Sequence, residues 1–371
     1  MNKQHDLALM KEGENLVIFY PHVPETAIEE VEKTLKSRWI GQGPKVNLFE
    51  HEFTKKFCPG FHSVAVNSGT SALHLAYLLA GVGPGDEVIV PVFTCTATTI
   101  PLLWIGAIPV MADISTKDLN IDPGSVKKLI TKKTKAIVCV HYGGLPCDMD
   151  ELKKVAGNIP IIEDAAQAIG AKYKGKYIGE ISDYTCFSFQ ATKHITTGDG
   201  GMLVLRDKEK AKKAKRLRWF GIDREKKQKG IWENDIKEVG YKYQMTDIAA
   251  CMGLAGLNDI EGTLIFRSLL RFVYAKNLSV EMITGGKDKY DSSWLCTILV
   301  DRRKDLQKKL KDNHIESGTI HCRNDIYSIF GGRKKFPNMD AIEDKYLVLP
   351  LHNHLQINDV KRICNVINSG W

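Results

Sequence analysis

The chain has 371 residues, 43% hydrophobic and 26% charged, and its 52 Lys and Arg against 44 Asp and Glu leave a formal net charge of +8. That length is about twice an average domain, so one large domain with a smaller companion is expected, and disordered or fibrous chains are excluded. No apolar run approaches the roughly 18 residues that a bilayer-spanning helix needs. The opening MNKQHDLALMKEGENLVIFY lacks the apolar core of a secretory signal, so a soluble, cytoplasmic protein with no membrane partner is expected.

Nine cysteines, an odd number without a CxxC pair, argue against a disulfide framework and against structural zinc. No metal site is expected. The cations fall in short groups such as Lys212-Lys213-Ala214-Lys215-Arg216, which read as solvated helix faces. No nucleic-acid reader motif accompanies them, so no nucleic-acid partner is expected. A cationic pocket for a small anion needs only a few such residues.

Between about 63 and 205, short β-rich runs alternate with helical patterns. Ser63–Asn67 reads as a strand, Ser71–Ala80 as an apolar helix, Glu87–Pro91 as a strand, Thr96–Gly106 as a helix and Ile108–Ala112 as a strand. Lys135–His141 and Ile159–Glu163 follow, separated by a helical Cys147–Ala156. Such alternation predicts an α/β fold with a mostly parallel sheet covered on both faces, its ligands lying beyond the carboxyl ends of the strands. Lys208–Arg218 is a basic amphipathic helix, and 222–236 reads as a polar, mobile insertion. A long helical segment starts near Tyr243, and the pattern restarts after about residue 265. The boundary is therefore set at 15–262 for a large domain and 263–371 for a smaller α+β domain. In the latter, Ser293–Val300 reads as a strand, Arg302–Asn313 as a helix and the end from Asn358 as another helix.

Four places end a strand with polar or glycine-rich residues. Asn67-Ser68-Gly69-Thr70-Ser71 is a strand-to-helix turn whose free N–H groups and hydroxyls suit a phosphate; an ordinary helix cap is the plainer alternative. Ile161-Ile162-Glu163-Asp164 sets a carboxylate on the end of an apolar strand. Phe187-Ser188-Phe189-Gln190-Ala191-Thr192-Lys193 places a lysine among apolar and hydroxyl residues just before the Gly198-Asp199-Gly200-Gly201 turn, as expected for a semi-buried amine able to lose its charge. Phe93-Thr94-Cys95-Thr96-Ala97-Thr98 follows the EVIVP strand. Together they match the needs of pyridoxal 5'-phosphate: an amine for a Schiff base, an anion cradle and a carboxylate opposite the pyridine nitrogen.

The runs NSGTSALHLA, PVFTCTAT, IIEDAAQAIGA, FSFQATKHITTGDGG and VGYKYQMTDIAACMGLAGL resemble those of the DegT/DnrJ/EryC1/StrS sugar aminotransferases. These are fold type I, aspartate-aminotransferase-like enzymes that use pyridoxal phosphate. The resemblance runs from Trp39 (WIGQGPKV) to the final LPLHNHL. It implies that Lys193 is the Schiff-base and proton-shuttling lysine, Asp164 the pyridinium partner and Gln167 the neighbour of the 3-hydroxyl. It also implies that Ser68, Gly69, Thr70 and Ser188 cradle the phosphate. Where many members stack an aromatic residue on the pyridine ring, this chain has Cys95, with Phe93 as the alternative. Lys242 stands in GYKYQM where the family often reads GYNYRM, a segment that reaches toward the neighbouring subunit's cofactor; a homodimer with its active site at the interface is implied. Members that dehydrate sugars replace the lysine with histidine. The five-residue spacing from Lys193 to Gly198 puts Lys193, not His194, in that slot.

The resemblance further implies a nucleotide-diphosphate sugar and L-glutamate binding in turn in a ping-pong cycle. The sugar's contacts would come from Trp39 and Gly41 in one loop and from His321, Arg323 and Asn324 in another. Amination of a 4-keto-6-deoxy sugar is the expected reaction. A 3-keto substrate and a sugar dehydrase are the alternatives, and dTDP, UDP and GDP are equally open.

Overall fold

The computed structural model describes residues 15–232 and 235–371. Its central sheet has seven strands in the order His62–Val66, Gly201–Leu205, Tyr184–Ser188, Ile161–Asp164, Thr134–Val140, Glu87–Pro91 and Ile108–Ala112. The last five are parallel to one another, whereas Gly201–Leu205 runs antiparallel to both its neighbours. The expected α/β class is therefore what the chain adopts, with strand limits within about two residues of those read from sequence.

The central strands read as unbroken apolar runs because both faces are covered. Ile89, Ile137 and Cys139 enter one layer with Phe49, Phe53, Phe57 and Met149. Val88, Val90, Ala136 and Val138 enter the other with Leu73, Leu75 and Tyr77. The outer strand His62–Val66 is blunted by a buried ion pair. Glu50 accepts the Ala65 N–H (3.0 Å), and Arg218, which also bonds Glu50, donates to the Ala65 carbonyl (2.8 Å). That pair occupies backbone groups that an edge strand would otherwise leave open.

The smaller part has an antiparallel sheet of Glu281–Met282, Cys296–Leu299 and Tyr346–Leu349, with the helices Arg303–Asp312 and Ile357–Asn368. Its boundary differs from expectation. The pattern does not restart near 265: one helix, Asp247–Asn277, runs through 262/263. Its first half packs into the large core through Leu257 and Ile260, and its second half into the small core through Leu270 and Tyr274. It is long and apolar enough to span a membrane by composition, and half of its most apolar window is buried in the fold. The N-terminal end also changes sides. Leu16 bridges Ile315 and Ile18 N–H donates to Glu316 (2.9 Å), so these residues join the C-terminal part. The 222–236 stretch contains a short helix, Arg224–Gln228; residues 233 and 234 lie outside the described residues.

Candidate active site

The strands ending at Val66, Pro91, Val140, Asp164 and Ser188 all deliver their following residues to one sheet edge. A two-stranded contact, Cys322–Arg323 against Phe93–Thr94, draws the small part onto that edge and brings His321 with it.

Lys193 sits in the loop between Ser188 and Gly201, where its N–H donates to the Gln190 carbonyl (2.9 Å). Part of the side chain is open, but the amine is enclosed, 3.6 Å from the centre of the Trp294 ring. Burial pulls its pKa down to about 8, partly offset by Asp164 and Cys95. A neutral amine fraction therefore exists near neutral pH. The adjacent His194 is used differently: its Nε2 bonds the Ser292 carbonyl (2.8 Å), and burial holds its pKa well below the usual imidazole range.

Asp164 is 4% exposed at the end of its strand. Its oxygens accept from Thr98 Oγ1 (2.8 Å) and the Ala166 N–H (3.1 Å). Burial raises its pKa, against the pull of those two donors and of Lys193 and His141. A buried carboxyl held by two neutral donors is one that a cation at close range would stabilise. Gln167 is oriented by the Gly143 N–H, which donates to its Oε1 (2.7 Å). Its amide nitrogen thus faces His321 Nε2 (2.9 Å), which must accept and is neutral. Burial first, then Lys193, depresses the His321 pKa to about 3.

Ser68 is the N-cap of the helix Gly69–Leu79, its hydroxyl accepting the Ser71 N–H (3.0 Å). The cap is compatible with an anion at the same turn, because capping Ser71 leaves the Gly69 and Thr70 amides without an acceptor in their own helix. A Cβ on Gly69 would lie 2.9 Å from Ser188 Cβ, and one on Gly201 would lie 2.4 Å from the Ser68 carbonyl oxygen. The two glycines let the loops close to within an anion's reach of Ser188.

Cys95 is exposed at the start of the helix Thr96–Trp104, while Phe93 is buried between Tyr142 (5.2 Å) and Tyr346 (4.9 Å). Of the two expected ring neighbours, Phe93 is spent on the core. Lys242 is exposed, its ammonium 5.3 Å from the Phe220 ring, and its carbonyl accepts from Asn67 (3.3 Å) beside the cradle. The loop of Trp39 and Gly41 is pinned by Asp247, whose N–H donates to the Gly41 carbonyl (2.6 Å) and whose carboxylate accepts from Gly43 (2.7 Å). Trp39 is 37% exposed under the Arg38 guanidinium (4.8 Å).

Two expected substrate residues turn out to be structural. Arg323 spends all five N–H donors within the chain, on Asp325 twice (2.7 and 2.8 Å), Asp340 (2.5 Å), Glu343 (3.0 Å) and the Lys334 carbonyl (2.7 Å). Asn324 donates to the carbonyls of Thr94 (2.6 Å) and Cys322 (3.2 Å) and accepts from Thr99 (2.6 Å). Neither side chain has a donor left for a sugar or a phosphate. Arg323→Met is expected to cost about 3–5 kcal/mol in a denaturant titration, because Asp325 stays buried without its cation. The KM for sugar should change less than twofold.

The donor set fits pyridoxal phosphate: an enclosed amine, a buried carboxyl short of a cation, and a helix N-terminus closed by two glycines. The chain matches the DegT/DnrJ/EryC1/StrS aminotransferase family over residues 21–368. It belongs to that family. Within the DegT/DnrJ/EryC1/StrS aminotransferases, GDP-perosamine synthase of Escherichia coli O157:H7 is 33% identical, with 95% of this chain and 98% of that one covered. AtS13 of Actinomadura melliaura superposes with a TM-score of 0.92 at 32% identity, covering 97% of this chain and 100% of that one. The sugar aminotransferase Spr1654 of Streptococcus pneumoniae, described as putative and solved in PLP and PMP forms, gives 0.89 at 30% identity in its PLP form, over 96% and 99% of the two chains. The chain is accordingly a pyridoxal-phosphate-dependent sugar aminotransferase of fold type I.

Sequence reasoning missed three parts of this site. Thr98, in the first turn of the helix Thr96–Trp104, holds Asp164, and its sequence signal is its place in the TCTAT run. The Gly143 amide that orients Gln167 belongs to a Tyr142–Gly144 turn, which no motif in the sequence singles out. Trp294 reads as the start of a strand.

Proposed function

We propose that the enzyme transfers the amino group of L-glutamate to the ketone of a nucleotide-linked 4-keto-6-deoxy sugar, in a ping-pong cycle within a homodimer. The observation that carries this reading is the enclosed Lys193 amine, with its pKa lowered by burial, at one sheet edge with Asp164 and the Gly69–Leu79 helix N-terminus. When bound, pyridoxal phosphate supplies an aldehyde that condenses with amines and a ring that draws electrons from an adjacent C–H bond.

Lys193 would join the cofactor and, once released, carry a proton on Nζ between positions of the substrate. Asp164 would keep a proton on the ring nitrogen. Gln167 would face the 3-hydroxyl, and Ser68, Gly69, Thr70 and Ser188 would hold the phosphate. Cys95 would border the ring. His321, neutral and held by Gln167, would present its remaining face to the sugar, with Trp39 and Gly41 across the mouth. The exposed Phe220, Trp232 and Val239 (44%, 72% and 81%) lie on the segment that carries Lys242 and support a dimer face there. In that dimer Lys242 would reach the partner's phosphate.

The relative named for GDP-perosamine supports a GDP-linked amino sugar as a product to test first. The reaction is checked by incubating the holoenzyme with glutamate and dTDP-, UDP- and GDP-linked 3-keto and 4-keto sugars, and reading product mass. An amino sugar formed only with glutamate present, from a 4-keto substrate, is expected. Turnover without an amino donor, or of 3-keto sugars alone, would contradict the reading.

A further inference from the structure

Trp294 belongs to no motif discussed above, yet it touches the reactive amine. The Lys193 ammonium lies 3.6 Å from the centre of its ring. Its indole Nε1–H donates to the carbonyl of Thr192 (2.9 Å), the residue before the lysine. The residue after the lysine, His194, bonds the Ser292 carbonyl (2.8 Å). The segment Ser292–Trp294 thus grips the chain on both sides of Lys193.

The segment is itself firmly held. Trp294 is 2% exposed and stacks on Phe19 (5.2 Å). Its N–H donates to the Gly143 carbonyl (2.9 Å), and its own carbonyl accepts from Arg267 (2.9 Å). Ser293 adopts φ +59°, a left-handed conformation uncommon for a serine, and its N–H is taken by Asp291 (2.6 Å). Strain of this kind persists where the surroundings fix it, and here it aims the indole.

We propose that Trp294 is a positioning residue for the transfer reaction: its indole N–H fixes the backbone beside Lys193, and its ring face seats the lysine's ammonium whenever the amine is free of the cofactor. The proposal rests on Lys193 being the amine that joins the cofactor. An ammonium over an indole face is favoured over the neutral amine, and the more so away from water. The other titratable groups acting on this amine are Asp164 and Cys95, which favour the ammonium, and the neutral His321 and His194. The indole face therefore opposes the effect of burial and keeps the lysine able to hold a proton near neutral pH.

The test measures the pH dependence of Lys193 labelling in the cofactor-free protein. Pyridoxal phosphate is added, borohydride fixes the adduct, and the label is mapped by peptide mass. Wild type should give half-maximal labelling near pH 8. Replacing Trp294 with mono-, di- and trifluorotryptophan weakens the ring face while keeping the N–H and the shape, so the apparent pKa should fall stepwise, by about one unit at the last step. Trp294→Phe, whose ring holds a cation less strongly than indole, should lower the pKa by less than the trifluorinated ring does, and should slow labelling several-fold at saturating pH through loss of the Thr192 contact. A pKa indifferent to fluorination overturns the seat, and an undiminished plateau in Trp294→Phe overturns the positioning role. Absence of label at position 193 in wild type would instead defeat the underlying assignment of the lysine.

Discussion

Lys193→Ala is expected to lower amino transfer by at least about 10⁴-fold, because in the proposed cycle it would remove both the covalent attachment and the proton carrier. The adjacent His194 cannot substitute. His194 is bonded to Ser292 through Nε2, its Nδ1 is buried without a partner, and its pKa is held low. The fold should survive, and the sign of the stability change follows from the shifted pKa. In the folded, cofactor-free protein Lys193 titrates near 8, below its ordinary 10.5. Below pH 8 folding must bury an ammonium, which costs stability; between pH 8 and 10.5 the unfolded chain binds the extra proton, so that cost fades as pH rises. The alanine variant should therefore be as stable as wild type or more so at pH 7, and the gap should close toward pH 10. Denaturant titrations of the two cofactor-free proteins at pH 7 and pH 10 check this. A variant that turned over normally, or a gap that widened with pH, would contradict the assignment.

Asp164→Asn is expected to reduce kcat by about 10²–10³-fold with pyridoxal phosphate still bound, because in the proposed site it would remove the fixed negative charge facing the ring nitrogen. The asparagine keeps the shape and can still accept from Thr98 Oγ1 or the Ala166 N–H, so the strand end should not move. It also removes a carboxyl whose ionisation is penalised by burial, so the cofactor-free variant should lose no stability. The cofactor absorbance and single-turnover rate with glutamate separate the two effects: pyridoxal phosphate present and the half-reaction slow is the expected pattern. Turnover within twofold of wild type would remove Asp164 from the site.

The parallel sheet is legible because its strands are covered on both faces, so EVIVP and KAIVCVH are nearly uninterrupted apolar runs. The strand-end motifs are legible for a related reason, since a polar cluster directly after such a run has to emerge at the carboxyl edge. The structural roles of Arg323 and Asn324 are not legible in sequence because, apart from Asp325 and the Cys322 carbonyl, their partners are remote. Asp340 and Glu343 lie beyond a loop, and Thr94 and Thr99 lie in the other part of the molecule; neither separation leaves a periodic trace. The change of core along the helix Asp247–Asn277 is not legible in sequence, because the helix packs first against one core and then the other without changing its own geometry. Trp294 was invisible for the same reason as Arg323: its importance lies in which loop it meets.

The central claim is that the amine at position 193 joins the cofactor. Borohydride reduction of the holoenzyme followed by peptide mapping tests it most directly. The expected result is one pyridoxyl group per chain on the peptide containing Lys193, lost when glutamate is added before the reductant. A label on another residue, or none in cofactor-saturated protein, would contradict it.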